Sequence, residues 1–120
     1  MSRDHRKLEA FKLADELALL MYQCTADFPL EERYGLRAQL RRAAVSIPTK
    51  LVEGSARASK GDYLRFIDIA FGSARESNYL ISLALRLGYL DDGAATKLDN
   101  LGRRIQAALS ALRAGLEHRT

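Results

Sequence analysis

The chain has 120 residues, a net charge of +4, 48% hydrophobic residues and two prolines. That length supports one domain, residues 1–120, with a single core and no need of covalent staples. The lone cysteine, Cys24, excludes an intramolecular disulfide and fits a reducing compartment, and no apolar run approaches the roughly 20 residues that span a bilayer, so the expectation is a soluble, cytoplasmic protein without a secretory leader.

The first helix is expected over about 7–26. Phe11, Ala14, Leu17, Met21 and Cys24 recur at spacings of three and four and share one face. It ends ahead of Phe28-Pro29, because the residue before proline is pushed out of the α region. The second helix is expected over about 31–57, with Glu31 and Glu32 in its first turn, where acids favour the positive end of the helix dipole. Its stripe is Leu36, Leu40, Ala43, Ile47 and Leu51. Pro48 removes one backbone bond inside this pattern; helical spacing resumes after it, so a kink is favoured over a break. Gly54 is the C-terminal signal.

The third helix follows Ser59-Lys60-Gly61-Asp62, over about 62–87, with Ser59 or Asp62 as N-cap. Tyr63, Phe66, Ile67, Ala70, Ala74, Ser77, Ile81 and Ala84 form one broad stripe, and Leu64, Phe71 and Leu85 fall outside it. A helix with that much apolar surface is central or faces a second partner. Gly88 ends it, and Asp91 or Asp92 caps a fourth helix over about 92–116, with the stripe Ala94, Leu98, Leu101, Ile105, Ala108, Leu112 and Leu116. β-branched residues are sparse and never alternate with polar ones, which argues against strands. The expected fold is all-α, an up-down-up-down antiparallel four-helix bundle, because short connections force neighbouring helices antiparallel.

Chemistry-bearing constellations are few. His5 and His118 stand at opposite ends and form no metal-ligating pair; Gly54, Gly61 and Gly72 form no phosphate loop; Cys24 reads as a small core residue. No catalytic set, metal or cofactor is expected. Gly72, in mid-helix, reads as a point of close helix approach. Glu53 and Glu76 are candidates for structural ion pairs, with Arg41 and Arg42 on the second helix as the natural partners. Arg33, Arg37 and Arg41 lie four apart and share a face; Arg42, Lys50, Arg57 and Lys60 follow. Arg103, Arg104, Arg113 and Arg119 form a second group. Such stripes are either solvated faces or phosphate-contacting surfaces. Without helix-turn-helix spacing, an RNP strand or a zinc knuckle, any nucleic acid would be held by backbone and shape.

The run Phe28-Pro29-Leu30-Glu31-Glu32-Arg33-Tyr34-Gly35-Leu36, then Gln39-Leu40-Arg41-Arg42-Ala43-Ala44-Val45-Ser46-Ile47-Pro48 and Glu53-Gly54, resembles a bacterial four-helix bundle family. So do Phe66-Ile67-Asp68-Ile69-Ala70-Phe71-Gly72-Ser73-Ala74-Arg75-Glu76 and Leu87-Gly88-Tyr89-Leu90. That family includes proteins encoded in intervening sequences of large-subunit ribosomal RNA genes and the accessory variability protein of diversity-generating retroelements. The resemblance covers nearly the whole chain. It implies a barrel-like homopentamer and a basic surface associated with RNA or DNA. In the retroelement members it also implies a complex with a reverse transcriptase. The chain departs from the family pattern at Lys50, where asparagine is usual, and at Asn78, where a second acid is usual. The leading expectation is a non-enzymatic, homo-oligomeric adaptor that binds nucleic acid through Arg33, Arg37, Arg41, Arg42, Lys50, Arg57 and Lys60. The alternative is a scaffold, such as a reverse-transcriptase partner, whose arginines serve ion pairs. A third reading places an enzyme site around Glu53 and Glu76.

Overall fold

Apolar residues at helical spacing fold residues 3–118, the part of the chain that the computed structural model describes, into four α-helices and two single 3₁₀ turns. The helices are α1 (Glu9–Cys24), α2 (Leu36–Ser55), α3 (Lys60–Arg86) and α4 (Asp92–Glu117); the 3₁₀ turns are His5–Lys7 and Leu30–Glu32. Each helix packs on its neighbours in sequence, α4 closes the ring on α1, and no diagonal pair meets among the described residues. The extents are 49 × 22 × 19 Å, as expected of helices running along one axis, since a 27-residue α3 is about 40 Å long. This is an up-down-up-down antiparallel four-helix bundle.

Leu17 and Met21 of α1, Leu40, Ile47 and Leu51 of α2, Ile67 and Ile81 of α3, and Leu98, Ile105 and Leu109 of α4 fill its axis and are fully buried. All eight residues of the α3 stripe are buried. The α1 stripe is rotated from the expected one. Ala10 and Leu13 take the core positions, and Phe11 and Cys24 are half-buried at its edge. In α4, Ala95, Gly102 and Leu109 join the core, and Ala94, Ala108 and Leu112 flank it.

The ends follow local chemistry. Ser59 accepts the Asp62 N–H at 3.1 Å, and Asp91 accepts the Ala94 N–H at 2.7 Å, each satisfying a donor the helix leaves open. Gly88 has φ +81°. Around it the Tyr89 N–H reaches the Ala84 carbonyl at 2.9 Å and the Gly88 N–H reaches Leu85 at 3.0 Å, a Schellman closure of α3.

The second helix starts later than its sequence suggests. Leu30–Glu32 is a separate 3₁₀ turn, and the chain leaves helical geometry at Gly35. The Glu32 carboxylate then accepts the Leu36 N–H at 2.8 Å. A Cβ on Gly35 would stand 2.6 Å from that carboxylate oxygen, so glycine is what lets the cap close. Downstream, α2 runs unbroken through Pro48, which is buried.

The glycines that permit close approach are not the expected one. Gly72 has nothing near its missing Cβ, whereas a Cβ on Gly54 would lie 2.7 Å from the Phe66 Cβ. Gly54 is therefore a packing residue inside α2, and Ala56 is the cap. Gly102 plays the same part between α4 and α3, where the Asn78 side chain occupies the space a Cβ would need. Gly54→Ala should lower stability by about 1–3 kcal/mol through overpacking. Gly72→Ala should raise it by roughly 0.5–1 kcal/mol by reducing the freedom of the unfolded chain. Urea denaturation of the two variants beside the parent checks both signs.

Candidate nucleic-acid interface

Residues of α2 that point away from the core, with Tyr22 of α1, form a shallow open concavity of about 560 Å³. Its lining includes Arg33, Arg37, Arg41, Arg42 and Lys50 and no acidic side chain. Arg33 is not on α2, because it follows the 3₁₀ turn. The sequence spacing that placed it on one helical face with Arg37 and Arg41 therefore does not hold, yet the turn brings it to the same surface.

Arg41 is held in place. Its Nε donates to the Thr25 hydroxyl at 2.9 Å, its Nη2 donates to the Tyr22 carbonyl at 3.3 Å, and its guanidinium lies 4.3 Å from the Tyr22 ring centre. The buried Thr25 hydroxyl in turn donates to the Met21 carbonyl at 2.7 Å. A cation at the last turn of α1 complements the negative end of that helix. Arg33, Arg37 and Arg42, by contrast, have no acidic partner among the described residues.

The remaining candidates separate. Arg57 lies beyond the end of α2, its guanidinium 4.8 Å from the Phe66 ring and its carbonyl accepting from Arg3 at 2.9 Å. Lys60 opens α3 and is exposed. Neither lines the concavity. On α4, Arg103 and Arg113 are paired, whereas Lys97 and Arg104 make no ion pair among the described residues. Arg103 meets Asp99 at 2.7 Å, and Arg113 meets Asp68 through two bonds at 2.7 and 3.0 Å and Glu117 at 2.8 Å. Arg104 lies over the groove between α1 and α4 with Glu16 and Lys97. Arg119 lies outside the described residues.

The expected partners of the two glutamates are corrected. Glu53 pairs with Lys50 of its own helix at 3.2 Å, not with Arg41 or Arg42. Three residues along a helix bring such side chains together, whereas Arg41 is committed to α1. Glu76 is exposed and makes no ion pair among the described residues. The two carboxylates share no enclosed site. Burial pushes the Cys24 thiol up, away from the thiolate that nucleophilic chemistry needs.

Sequence reasoning missed Tyr22, and singled out Asn78 only as a departure from the family pattern, without its partners. Tyr22 is exposed next to the core face of α1, and only the fold shows it beneath Arg41. The Asn78 amide donates to Asp99 Oδ1 at 2.8 Å and accepts from Gln106 at 2.9 Å, clasping α3 to α4. Burial raises the Asp99 carboxyl, but hydrogen bonds from Arg103 and Asn78 and the Arg103 charge outweigh it and hold the group below its ordinary value.

The family model described as 23S rRNA-intervening sequence protein matches residues 6–111. No curated protein matches the chain. Among solved structures, a protein of unknown function from the S23 ribosomal protein family of Bacteroides thetaiotaomicron VPI-5482 superposes with a TM-score of 0.81 at 20% identity. The match covers 88% of this chain and 95% of that one. At that identity the likeness shows the fold.

Two sets of variants test the polar contacts. Arg41→Ala should lower stability by about 1–2 kcal/mol, while Arg37→Ala and Arg42→Ala stay within roughly 0.5 kcal/mol of the parent; thermal unfolding of the three decides. Asn78→Asp exchanges a donor to Asp99 for a second carboxylate and should cost about 1.5–3 kcal/mol near pH 7. Because the Asp99 carboxyl is lowered in the folded parent, its contribution is present above the ordinary Asp pKa near 4 and lost as pH falls below it. In the variant the sign reverses, since crowded carboxylates titrate upward and protonation relieves them. The stability gap between parent and variant should therefore narrow on acidification, measured by denaturation from pH 7 to pH 4.

Proposed function

Because the chain belongs to the 23S rRNA-intervening sequence protein family, we propose that it is a homo-oligomeric adaptor that acts by binding, and that the α2 concavity is where it holds RNA or DNA. The observation that carries this is the pairing asymmetry. Arg103 and Arg113 of α4 are neutralised by Asp99, Asp68 and Glu117, and Arg104 shares its groove with Glu16, whereas Arg33, Arg37 and Arg42 line an acid-free surface without carboxylate partners among the described residues. Unneutralised guanidinium groups suit phosphate oxygens in charge and in geometry. Lys50 adds a cation already shared with Glu53, and Arg57 and Lys60 extend the basic surface toward the start of α3.

Self-association is supported by apolar side chains left on the outer faces, including Leu19, Val52 and Ile69. A pentamer, the assembly implied by the family resemblance, is the expected state. Arg37 and Arg42 are the residues to change, because neither is tied into the packing as Arg41 is. With the double variant Arg37→Gln/Arg42→Gln, affinity for a labelled RNA strand should fall roughly tenfold or more at moderate salt. The slope of log K against log salt should become shallower by roughly 0.7–0.9 for each phosphate that is no longer neutralised. Fluorescence anisotropy over a salt series gives both quantities, and light scattering on the same samples reports the assembly. Unchanged affinity in a variant that still assembles would favour the scaffold reading, with the half-apolar groove between α1 and α4 (Leu19, Leu20 and Leu101) as its contact surface.

A further inference from the structure

We propose that the α2 concavity takes a single-stranded nucleic acid, whose unpaired bases stack on Tyr22 and Tyr34. This rests on the phosphate-binding reading above and adds the form of the ligand. The concavity carries one exposed ring among its cations, Tyr22, and a second, Tyr34, stands outside the lining next to Arg33 at its edge. Tyr22 lines it and is 49% exposed, although the Arg41 guanidinium lies 4.3 Å from its centre. A guanidinium stacked on a ring covers one face, and here the cation is fixed by Thr25 and the Tyr22 carbonyl, so the ring is braced for a second planar partner. Tyr34 is 88% exposed, the most open of the large apolar side chains, and it follows Arg33, whose guanidinium lies 5.7 Å from the Tyr34 ring centre.

Neither ring serves the core. The buried residues on this side are Met21, Leu36 and Leu40, and the Tyr34 side chain contributes no hydrogen bond among the described residues. Single exposed tyrosines are ordinary on protein surfaces. Tyr79 is such a case, 60% exposed beside the Asp99–Arg103 pair. What distinguishes Tyr22 and Tyr34 is that each sits against an arginine of the acid-free basic surface. Phosphate contacts alone would serve a duplex equally well, but a duplex hides the faces of its bases. Exposed rings next to unneutralised guanidinium groups gain binding energy from a strand whose bases are splayed out, and that gain is tolerant of sequence because every base has a π-face.

The test compares three labelled probes of about 15 nucleotides, within the range such surfaces cover: a mixed-sequence RNA single strand, the matching duplex, and an abasic ribose-phosphate strand. Expected is tighter binding of the base-bearing single strand than of the other two. Tyr34→Ala and Tyr22→Ala should each weaken that probe about fivefold or more and leave the abasic strand unchanged. Tyr34→Phe and Tyr22→Phe should restore binding, and Tyr79→Ala should have no effect. Tyr34→Ala touches no folded-state contact of Arg41, so it reads stacking even if Tyr22→Ala disturbs α1. Equal binding of abasic and base-bearing strands, or unchanged binding in both alanine variants, overturns the stacking proposal. If Arg37→Gln/Arg42→Gln still weakens all probes in that case, the phosphate-binding reading stands without it. Absence of binding to every probe at low salt overturns both.

Discussion

The carboxylate of Glu32 accepts the Leu36 N–H at 2.8 Å and the Tyr89 hydroxyl at 3.2 Å. With the first bond it satisfies an open donor of α2 and fixes the residue at which that helix begins. With the second it ties the connection between α1 and α2 to the one between α3 and α4, at the same end of the bundle. Phe28 and Tyr89 pack beside it with ring centres 5.4 Å apart, so the link has an apolar flank. The phase of α2 follows. Starting at Leu36 turns Leu40, Ile47 and Leu51 inward, brings Arg41 to Thr25, and leaves Arg37 and Arg42 on the concavity. A slip of one residue would rotate every side chain of α2 by about 100°. That would break the Arg41 contacts and the core together.

Arg41 is the arginine of this surface that the packing of the bundle also uses. Its bonds to Thr25 and to the Tyr22 carbonyl make it part of the α1–α2 packing, and its position on the concavity makes it part of any basic surface there. Its neighbours carry no such obligation. An arginine stripe is therefore divided residue by residue between packing contacts and open surface. Arg103 and Arg113 are taken up by structural pairs, Arg41 by the α1–α2 packing, and Arg37 and Arg42 by no acidic partner among the described residues.

Much of the architecture was legible because it rests on local rules. Every residue of the expected α3 stripe is buried, and Leu80 is the buried position it left out, since a helix buried on a broad face leaves little freedom in its phase. Gly88 was legible, and Ser59 and Asp91 were each one of two candidates, because capping depends on neighbours within five positions. What escaped depends on rotation and distance. Gly54 and Gly102 are packing glycines only because Phe66 and Asn78 face them from another helix, and nothing in their own surroundings in sequence says so. Glu32 acts as a cap because Gly35 interrupts the helix, which the acidic first-turn pattern of Glu31 and Glu32 disguised. The partner of Glu53 was misjudged because Arg41 is already engaged with α1. The role of Tyr22 could not be read at all, because a tyrosine beside a core stripe is ordinary until an arginine from the next helix is seen above it.

The unneutralised arginines carry a physical cost that the fold does not recover by itself. Arg37 and Arg41 stand four residues apart on one helix, with Arg42 adjacent to Arg41. Like charges at that spacing destabilise a helix by roughly 0.2–0.5 kcal/mol for each pair. At Arg103 and Arg113 the chain supplies acids from the same or a facing helix, Asp99 for the first and Asp68 and Glu117 for the second. On the concavity it places Ala38, Val45, Ser46 and Thr49 among the cations instead. Those side chains leave the positive potential unscreened by protein and the surface open. An anionic ligand would remove the repulsion on binding, so that part of the affinity comes from relief of a strain present in the free protein. That relief needs no sequence-specific contact, which suits a surface made of guanidinium groups and exposed rings and without an acidic side chain in its lining.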